Sequence, residues 1–258
     1  MVEARIDVTV EGPTAWVVFE RPGVLNALAP ADLPRLAGAL REAGSREGVR
    51  ALVVRGAGGA FSSGDDLRET AELDPEGWRE VVQGFHELTR AARGLDVPVI
   101  AAVDGVCIGG AFEFACSCDL RVASSRSRFG CPEVGVGLVV SNAATVLLSQ
   151  LCGAGYAAEL MLTGRLIGAQ EALDHGLLNR LVEPDELEDA ARALAEEIAA
   201  RAPLAVQATK RLLVEAHQAA TDQAMARETE TLVRLAATAD MQEGFAAFRE
   251  KRAPSFSG

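Results

Sequence analysis

Two stretches of this chain join a short apolar strand to glycine-rich backbone, a combination that brings main-chain N–H groups close to a ligand. The first, Ala60-Phe61-Ser62-Ser63-Gly64-Asp65-Asp66-Leu67, comes after the apolar run Ala51-Leu52-Val53-Val54 and the glycine-rich stretch from Gly56 to Gly59. The second, Val103-Asp104-Gly105-Val106-Cys107-Ile108-Gly109-Gly110-Ala111-Phe112-Glu113, continues the apolar run that starts at Pro98. Glycine reaches backbone conformations closed to other residues and leaves room for close approach. Unpaired N–H groups in the first turn of a helix then face negative charge, with the helix dipole adding to the attraction. Two such groups converging on one oxygen form an oxyanion hole, in which a single donor is worth ~10²–10³ in rate. Glycine turns after strands also serve purely structural ends, and the residues alone leave both readings open. Two glutamates belong to the same discussion. Glu113 falls just inside a helix start, and Glu133 follows Pro132 at a turn or in the first turn of a short helix. Each suits general acid–base work, and each equally suits a capping or surface acid.

Positioning these groups requires a framework. Ile6-Asp7-Val8-Thr9-Val10 alternates as a half-buried strand, Ala15 to Phe19 is a second apolar run, and Gly12-Pro13 between them predicts a β-hairpin. Leu33, Leu36, Ala37 and Leu40 fall at helical spacing between Pro30 and Ala43. Ala51 to Val54 and Pro98 to Val103 read as buried strands, and the polar stretch from Leu67 to Leu95 between them reads as a mobile loop followed by a helix. Helical pattern resumes from Gly110 to Ala115, and Leu120 to Ala123 is strand-like. Helix then dominates over 142–151, 169–175, 185–201, 203–216 and one long stretch from 221 to 250. Strands alternating with helices, followed by a helical tail, predict an α/β fold with a C-terminal helical subdomain. The 258 residues suffice for one large core, with or without a small appended subdomain.

Composition removes several function classes. A net charge of -12 argues against a nucleic-acid partner, because phosphate binding needs clustered Lys and Arg. No apolar run is long enough to span a membrane. The charged N-terminus carries no signal-like apolar segment, so a cytoplasmic location is expected. Five cysteines (Cys107, Cys116, Cys118, Cys131 and Cys152), an odd count among apolar neighbours, disfavour a disulfide framework and read as buried small hydrophobes. None pairs with a histidine at metal-ligand spacing, so no metal site is expected. Neither a GxGxxG nor a GxxxxGK[ST] follows a strand, which leaves nucleotide-binding readings without support.

The motifs resemble those of the crotonase (enoyl-CoA hydratase/isomerase) family. Phe61 to Leu67 is similar to F-x-x-G-x-D-[IL], and Ala102 to Asp119 to A-V-x-G-x-x-x-G-G-[GA]-x-E-[LF]-A-x-x-C-D. Arg21-Pro22 with Asn26-Ala27-Leu28 resembles R-P…N-A-L, and Phe129 to Gly137 resembles F-x-x-P-E-x-x-x-G. Leu162-Thr163-Gly164 with Ala169, Glu171-Ala172 and Gly176-Leu177 continues the series, and Glu243-Gly244 to Phe256 closes it. The resemblance runs in order along nearly the whole chain.

This resemblance implies a spiral of repeated ββα units over residues 1–200 holding an acyl-CoA site. A helical subdomain over 201–258 would cover that site and mediate assembly as a homotrimer or a dimer of trimers. The backbone N–H groups of Asp65 and Gly110 would be the oxyanion donors. An acidic side chain at position 65, beside Asp66, is electrostatically unhelpful unless it points away. Ser63, Asp66 and Leu67 would line the CoA path, with Val24, Leu25 and Gly109 completing the binding set. Lys251 would meet a CoA phosphate, from a neighbouring subunit or as a solvated terminal lysine. Glu113 would handle the proton of water and Glu133 the proton at C2, two carboxyls in opposite protonation states dividing the labour. No cofactor is implied, since coenzyme A enters as part of the substrate.

After Glu133 the chain departs from the family's G-x-x-P-G-x-G pattern, with Val140-Ser141 in place of Pro-Gly and Asn142 next to it. That change is expected to reshape the acyl pocket or to alter water placement. The leading expectation is hydration or dehydration of an acyl-CoA. A Δ3,Δ2-enoyl-CoA isomerase leaning chiefly on Glu133, another reaction sharing the oxyanion hole (decarboxylation, hydrolysis), and a noncatalytic acyl-CoA binder are the alternatives.

Overall fold

The computed structural model describes residues 3–21 and 23–258. Pro22 of the Arg21-Pro22 pair lies outside them. The chain opens with strands β1 (Arg5–Glu11) and β2 (Thr14–Glu20), paired antiparallel around Gly12, whose φ of 57° is one that glycine tolerates without strain. Strands β3 (Ala51–Gly56), β4 (Val99–Val103), β6 (Leu120–Ser124) and β9 (Arg180–Val182) extend the sheet in parallel, in the order β1-β2-β3-β4-β6-β9. A second sheet is made of β5 (Val106–Ile108), β7 (Arg128–Gly130) and β8 (Ile167–Gly168), in the order β5-β7-β8.

From β4 to β7 consecutive strands alternate between the two sheets. β4 turns through Asp104-Gly105 into β5, β6 turns into β7, and each pair is followed by a helix. Parallel strands need helical crossovers, and helices on both faces make their strands uniformly apolar. β3 and β4 show this. Leu52, Val54, Val99, Ala101 and Val103 point into the main core, while Ala51, Val53, Ile100 and Ala102 point at Leu187, Ala191 and Leu194 of the helix Leu187–Ala199.

Helix α1 (Asp32–Ser45) buries Leu33, Leu36, Ala37 and Leu40 as their spacing predicts. The stretch from Leu67 to Leu95 is more ordered than its polar composition suggests. A short helix α2 (Leu67–Thr70) precedes α3 (Pro75–Gly94), twenty residues started by the Asp74 side chain on Gly77 N at 2.8 Å. Trp78, Val81, Val82, Phe85, Leu88 and Ala92 form its buried stripe. The next helix, α4 (Gly110–Ser117), starts directly after β5, and α5 spans Ala144–Cys152.

The C-terminal region is helical. The stretch expected as one helix over 221–250 is instead two, Gln218–Leu235 and Ala239–Glu250. Thr238 caps the second through Met241 N, and the break turns Gly244 against Val136, where a Cβ would come within 2.5 Å of backbone. That contact seats the last helix on the 3-10 turn Pro132–Val136, which carries Glu133. Met225 and Leu232 of the penultimate helix are buried within the chain, so they are core rather than outer surface. Among the described residues no helix is long and apolar enough to cross a membrane, and no cluster of His, Cys, Asp and Glu is placed to hold a metal ion.

Candidate active site

The two glycine-rich segments lie side by side. Ser62 N donates to Val106 O at 2.9 Å and Ile108 N donates to Ser62 O at 3.2 Å, so the first segment runs as an irregular strand beside β5. On its other side Leu28 N donates to Gly64 O and Asp66 N to Leu28 O, at 2.8 and 3.1 Å. Arg21 and Asn26 make this arrangement rigid. Arg21 Nη1 meets Asp66 Oδ2 at 2.5 Å and Nη2 meets Glu69 Oε1 at 2.6 Å, all three side chains largely buried. Asn26 donates to the carbonyls of Ala57 and Ala60, both at 2.8 Å, from a left-handed conformation that asparagine tolerates.

Two N–H groups are left over. Asp65 N and Gly110 N carry no hydrogen bond among the described residues, although every other nitrogen from Ser62 to Asp66 is engaged. They belong to neighbouring turns, for a Cβ on Gly64 would lie 3.4 Å from Gly110 N. Gly110 is also the first residue of α4, where the dipole adds to the attraction for an anion.

Glu113, one turn into α4, is 2% exposed. Its Oε1 accepts from Ser141 N at 3.0 Å, and its Oε2 accepts from Ser141 Oγ at 2.7 Å and Asn142 Nδ2 at 3.2 Å. Burial pushes its pKa up to about 7, against the pull of the Ser141 and Asn142 donors, and the Glu228 carboxylate adds to the rise. Glu133 differs. Its Oε2 is buried with no hydrogen-bond partner, and Oε1 sits 3.1 Å from where a Cβ on Gly109 would be. Burial, then the Glu113 and Asp65 carboxyls, hold its pKa well above the usual carboxylate range. The two acids are thus split by environment: Glu113 is surrounded by donors and Glu133 is not.

Asp65 does not project free. Its Oδ2 accepts from Thr70 Oγ1 at 3.1 Å, its Oδ1 is buried without a partner, and burial pushes its pKa up to about 7. A carboxyl poised near neutrality is less hostile to a neighbouring oxyanion than a fixed anion would be. The Asp66 carboxylate is committed to Arg21 and to capping α2 through Arg68 N.

A single cavity of about 630 Å³ joins these groups, lined by Val24, Leu25, Ser63, Asp65, Asp66 and Leu67 as well as Gly109, Gly110, Glu113 and Glu133. Lys251 is not brought to it. It caps the last helix in a left-handed conformation, exposed and away from the cavity lining of its own chain. The cations that do line the cavity are Arg68 and Arg128, both exposed, with no side-chain partner among the described residues. Arg68 directly follows the matched segment, so its position was available to sequence reasoning. Trp78, Val81, Val82 and Phe85 of α3 supply an apolar wall with Leu138, Val139 and Leu232. Their spacing marked a buried helical stripe but not what that stripe would border.

Known proteins share this architecture. The family model described as Enoyl-CoA hydratase/isomerase matches residues 11–258. A short-chain-enoyl-CoA hydratase of Clostridium acetobutylicum is 39% identical over 244 residues, covering 94% of this chain and 93% of that protein. A crotonyl-CoA hydratase of Syntrophomonas wolfei is 34% identical over 257 residues, covering 99% of both. The crystal structure of an enoyl-CoA hydratase from Mycobacterium avium subsp. paratuberculosis superimposes with a TM-score of 0.90 over the full length of both chains, at 28% identity. With the sheet-switching strands, the paired free N–H groups and a match along almost its entire length, this chain belongs to the enoyl-CoA hydratase/isomerase family.

Proposed function

We propose that the protein hydrates a 2-enoyl-CoA thioester, and that the observation carrying this reading is the pair of free N–H groups, Asp65 and Gly110, beside the buried Glu113 and the half-buried Glu133, two carboxyls of unlike environment. The thioester oxygen sits between the two N–H groups. Glu113, ionised, takes a proton from a water molecule as its oxygen attacks C3. Electron density moves to the thioester oxygen as an enolate, where the two donors and the α4 dipole stabilise it. Glu133, protonated, then gives its proton to C2 and the carbonyl re-forms. One water is consumed, its O on C3, and the carboxyls return to their starting states by exchanging a proton with solvent or with each other.

The acyl wall of Trp78, Val81, Val82, Phe85, Leu138 and Leu232 carries no charge, which favours a hydrocarbon chain over one ending in a carboxylate. The CoA moiety lies along Val24, Leu25, Ser63 and Leu67, with Arg68 and Arg128 toward its phosphates. The enzyme works in the cytoplasm without a cofactor of its own. Hydration of crotonyl-CoA, followed as loss of enoyl absorbance at neutral pH, is the expected result. Absence of turnover with crotonyl-CoA and with longer 2-enoyl-CoAs would overturn the reading.

Assembly as a trimer, or a pair of trimers, belongs to the same proposal. The helix Pro203–Glu215 leaves Leu204, Leu212 and Leu213 at 77, 66 and 66% exposure, apolar side chains that further copies would cover. Light scattering should give at least three chains per particle, and a monomer would refute it.

A further inference from the structure

Ser141 and Asn142 stand on the loop before α5, and their contacts go beyond filling space. Three hydrogen atoms reach the Glu113 carboxylate from these two residues: one from Ser141 N onto Oε1, and one each from Ser141 Oγ and Asn142 Nδ2 onto Oε2. The Asn142 amide is fully allocated. Its Oδ1 accepts from Thr89 Oγ1 at 2.9 Å, and its second Nδ2 hydrogen goes to the Gly110 carbonyl at 3.3 Å. Asn142 is held in a left-handed conformation, φ 59°, and is completely buried. The loop itself is anchored from below, because Glu228 accepts from Ala143 N, Thr145 N and Thr145 Oγ1 at 2.8, 3.1 and 2.6 Å.

Resting on the hydratase reading, we infer that Ser141 and Asn142 are positioning residues that hold Glu113 as the ionised member of the pair and direct its Oε1 at the attacking water. Ser141 N and Asn142 Nδ2 only donate, so a protonated Glu113 keeps this arrangement only by reversing the Ser141 Oγ bond and leaving Asn142 Nδ2 on a hydroxyl oxygen, a poorer acceptor than a carboxylate. Oε2 already accepts two hydrogens and Oε1 only one, which leaves the remaining acceptor site on Oε1 for water. The titratable groups around Glu113 all oppose ionisation or leave it unaided: Glu133 on the 3-10 turn, Glu228 on the penultimate helix, Cys116 on α4 and Cys131 ahead of the turn. No cation faces it among these, so the donors of residues 141 and 142 are what opposes burial. Asn142 also ties the base to the oxyanion helix, since the same amide nitrogen meets Glu113 and Gly110.

The kcat–pH profile of Ser141→Ala tests this, because alanine keeps the N–H and removes only the hydroxyl. Loss of one donor to the anion moves the acid limb upward by about one pH unit, an approximately tenfold loss of kcat below the limb, while KM stays near its starting value. Ser141→Thr, which restores a hydroxyl, returns the limb toward its original place. An acid limb that does not move in Ser141→Ala, with kcat lowered equally at every pH, would show a packing role and overturn the inference. Infrared difference titration of the Glu113 carboxyl, assigned against Glu113→Gln, reads the same shift without turnover. A shifted band in a protein that hydrates nothing would keep the clamp and reject only the hydratase reading.

Discussion

Glu133→Gln should lower hydration of crotonyl-CoA by ~10²–10⁴-fold, the range that a positioned acid or base supplies, while acyl-CoA binding stays intact. Glutamine matches the shape of a neutral glutamic acid, so the cavity and the turn Pro132–Val136 are undisturbed. Its amide hydrogen cannot be surrendered to C2. Glu133 is suited to hold a proton because its Oε2 is buried without a donor and two carboxyls lie nearby. The pH dependence follows from the directions of the shifts. Glu113 must be ionised, so the rate falls as pH drops through about 7. Glu133 must be protonated, so the rate falls as pH rises through a pKa held well above the ordinary carboxylate value. The wild type is therefore bell-shaped, displaced to higher pH than two ordinary carboxyls would give, and the residual activity of Glu133→Gln loses the alkaline limb alone. Since the two groups interact, the limbs report the pair and not isolated residues. Steady-state rates with titration calorimetry against a saturated acyl-CoA decide it. A variant that keeps more than about a tenth of the rate would remove Glu133 from the proton transfer.

Much of this was legible in the residues. Buried strands such as Ala51–Val54 and Val99–Val103 announce themselves because both faces are covered, so apolar residues run without interruption. Helix α1 is visible through Leu33, Leu36, Ala37 and Leu40. The two glycine-rich segments were readable as places of close backbone approach, and the ordered motifs bound them to an acyl-CoA family. Short strands were not readable. β5, β7 and β8 are two or three residues long and owe their existence to neighbours far away in sequence. The break at 236–238 was hidden as well, since Thr238 and Gly244 act through a cap and a close contact with Val136 rather than through composition. At the site, sequence comparison marked Ser141 and Asn142 as departures that would disturb water placement. The structure shows both donating to Glu113, a relation between positions 28 and 29 residues apart that no local pattern encodes.

Gly64→Ala should reduce kcat by ~10²–10³-fold, comparable to removal of an oxyanion donor, although the change adds a single methyl group. Gly64 has a φ of 87°, where a side chain is strained whatever the surrounding space. The space is also missing: the Cβ would come 2.7 Å from the Ile108 carbonyl oxygen. That oxygen cannot retreat easily, since β5 is held between Ser62 and β7. The 63–66 segment must shift instead, and the next N–H along the chain belongs to Asp65. Displacement of that donor from the line toward the thioester oxygen weakens enolate stabilisation more than substrate binding, so kcat falls further than KM rises. A control separates strain from geometry. Gly12 also has a positive φ, 57°, but nothing lies within 4 Å of a Cβ there, and it sits in the β1–β2 turn remote from the cavity. Gly12→Ala should lose stability of similar order, roughly 1–3 kcal/mol, and keep its kcat. Both variants would show a lowered Tm, with the catalytic defect confined to position 64. If Gly64→Ala turned over crotonyl-CoA at the wild-type rate, the Asp65 N–H would not be a donor to the transition state, and Gly110 would have to find its partner elsewhere.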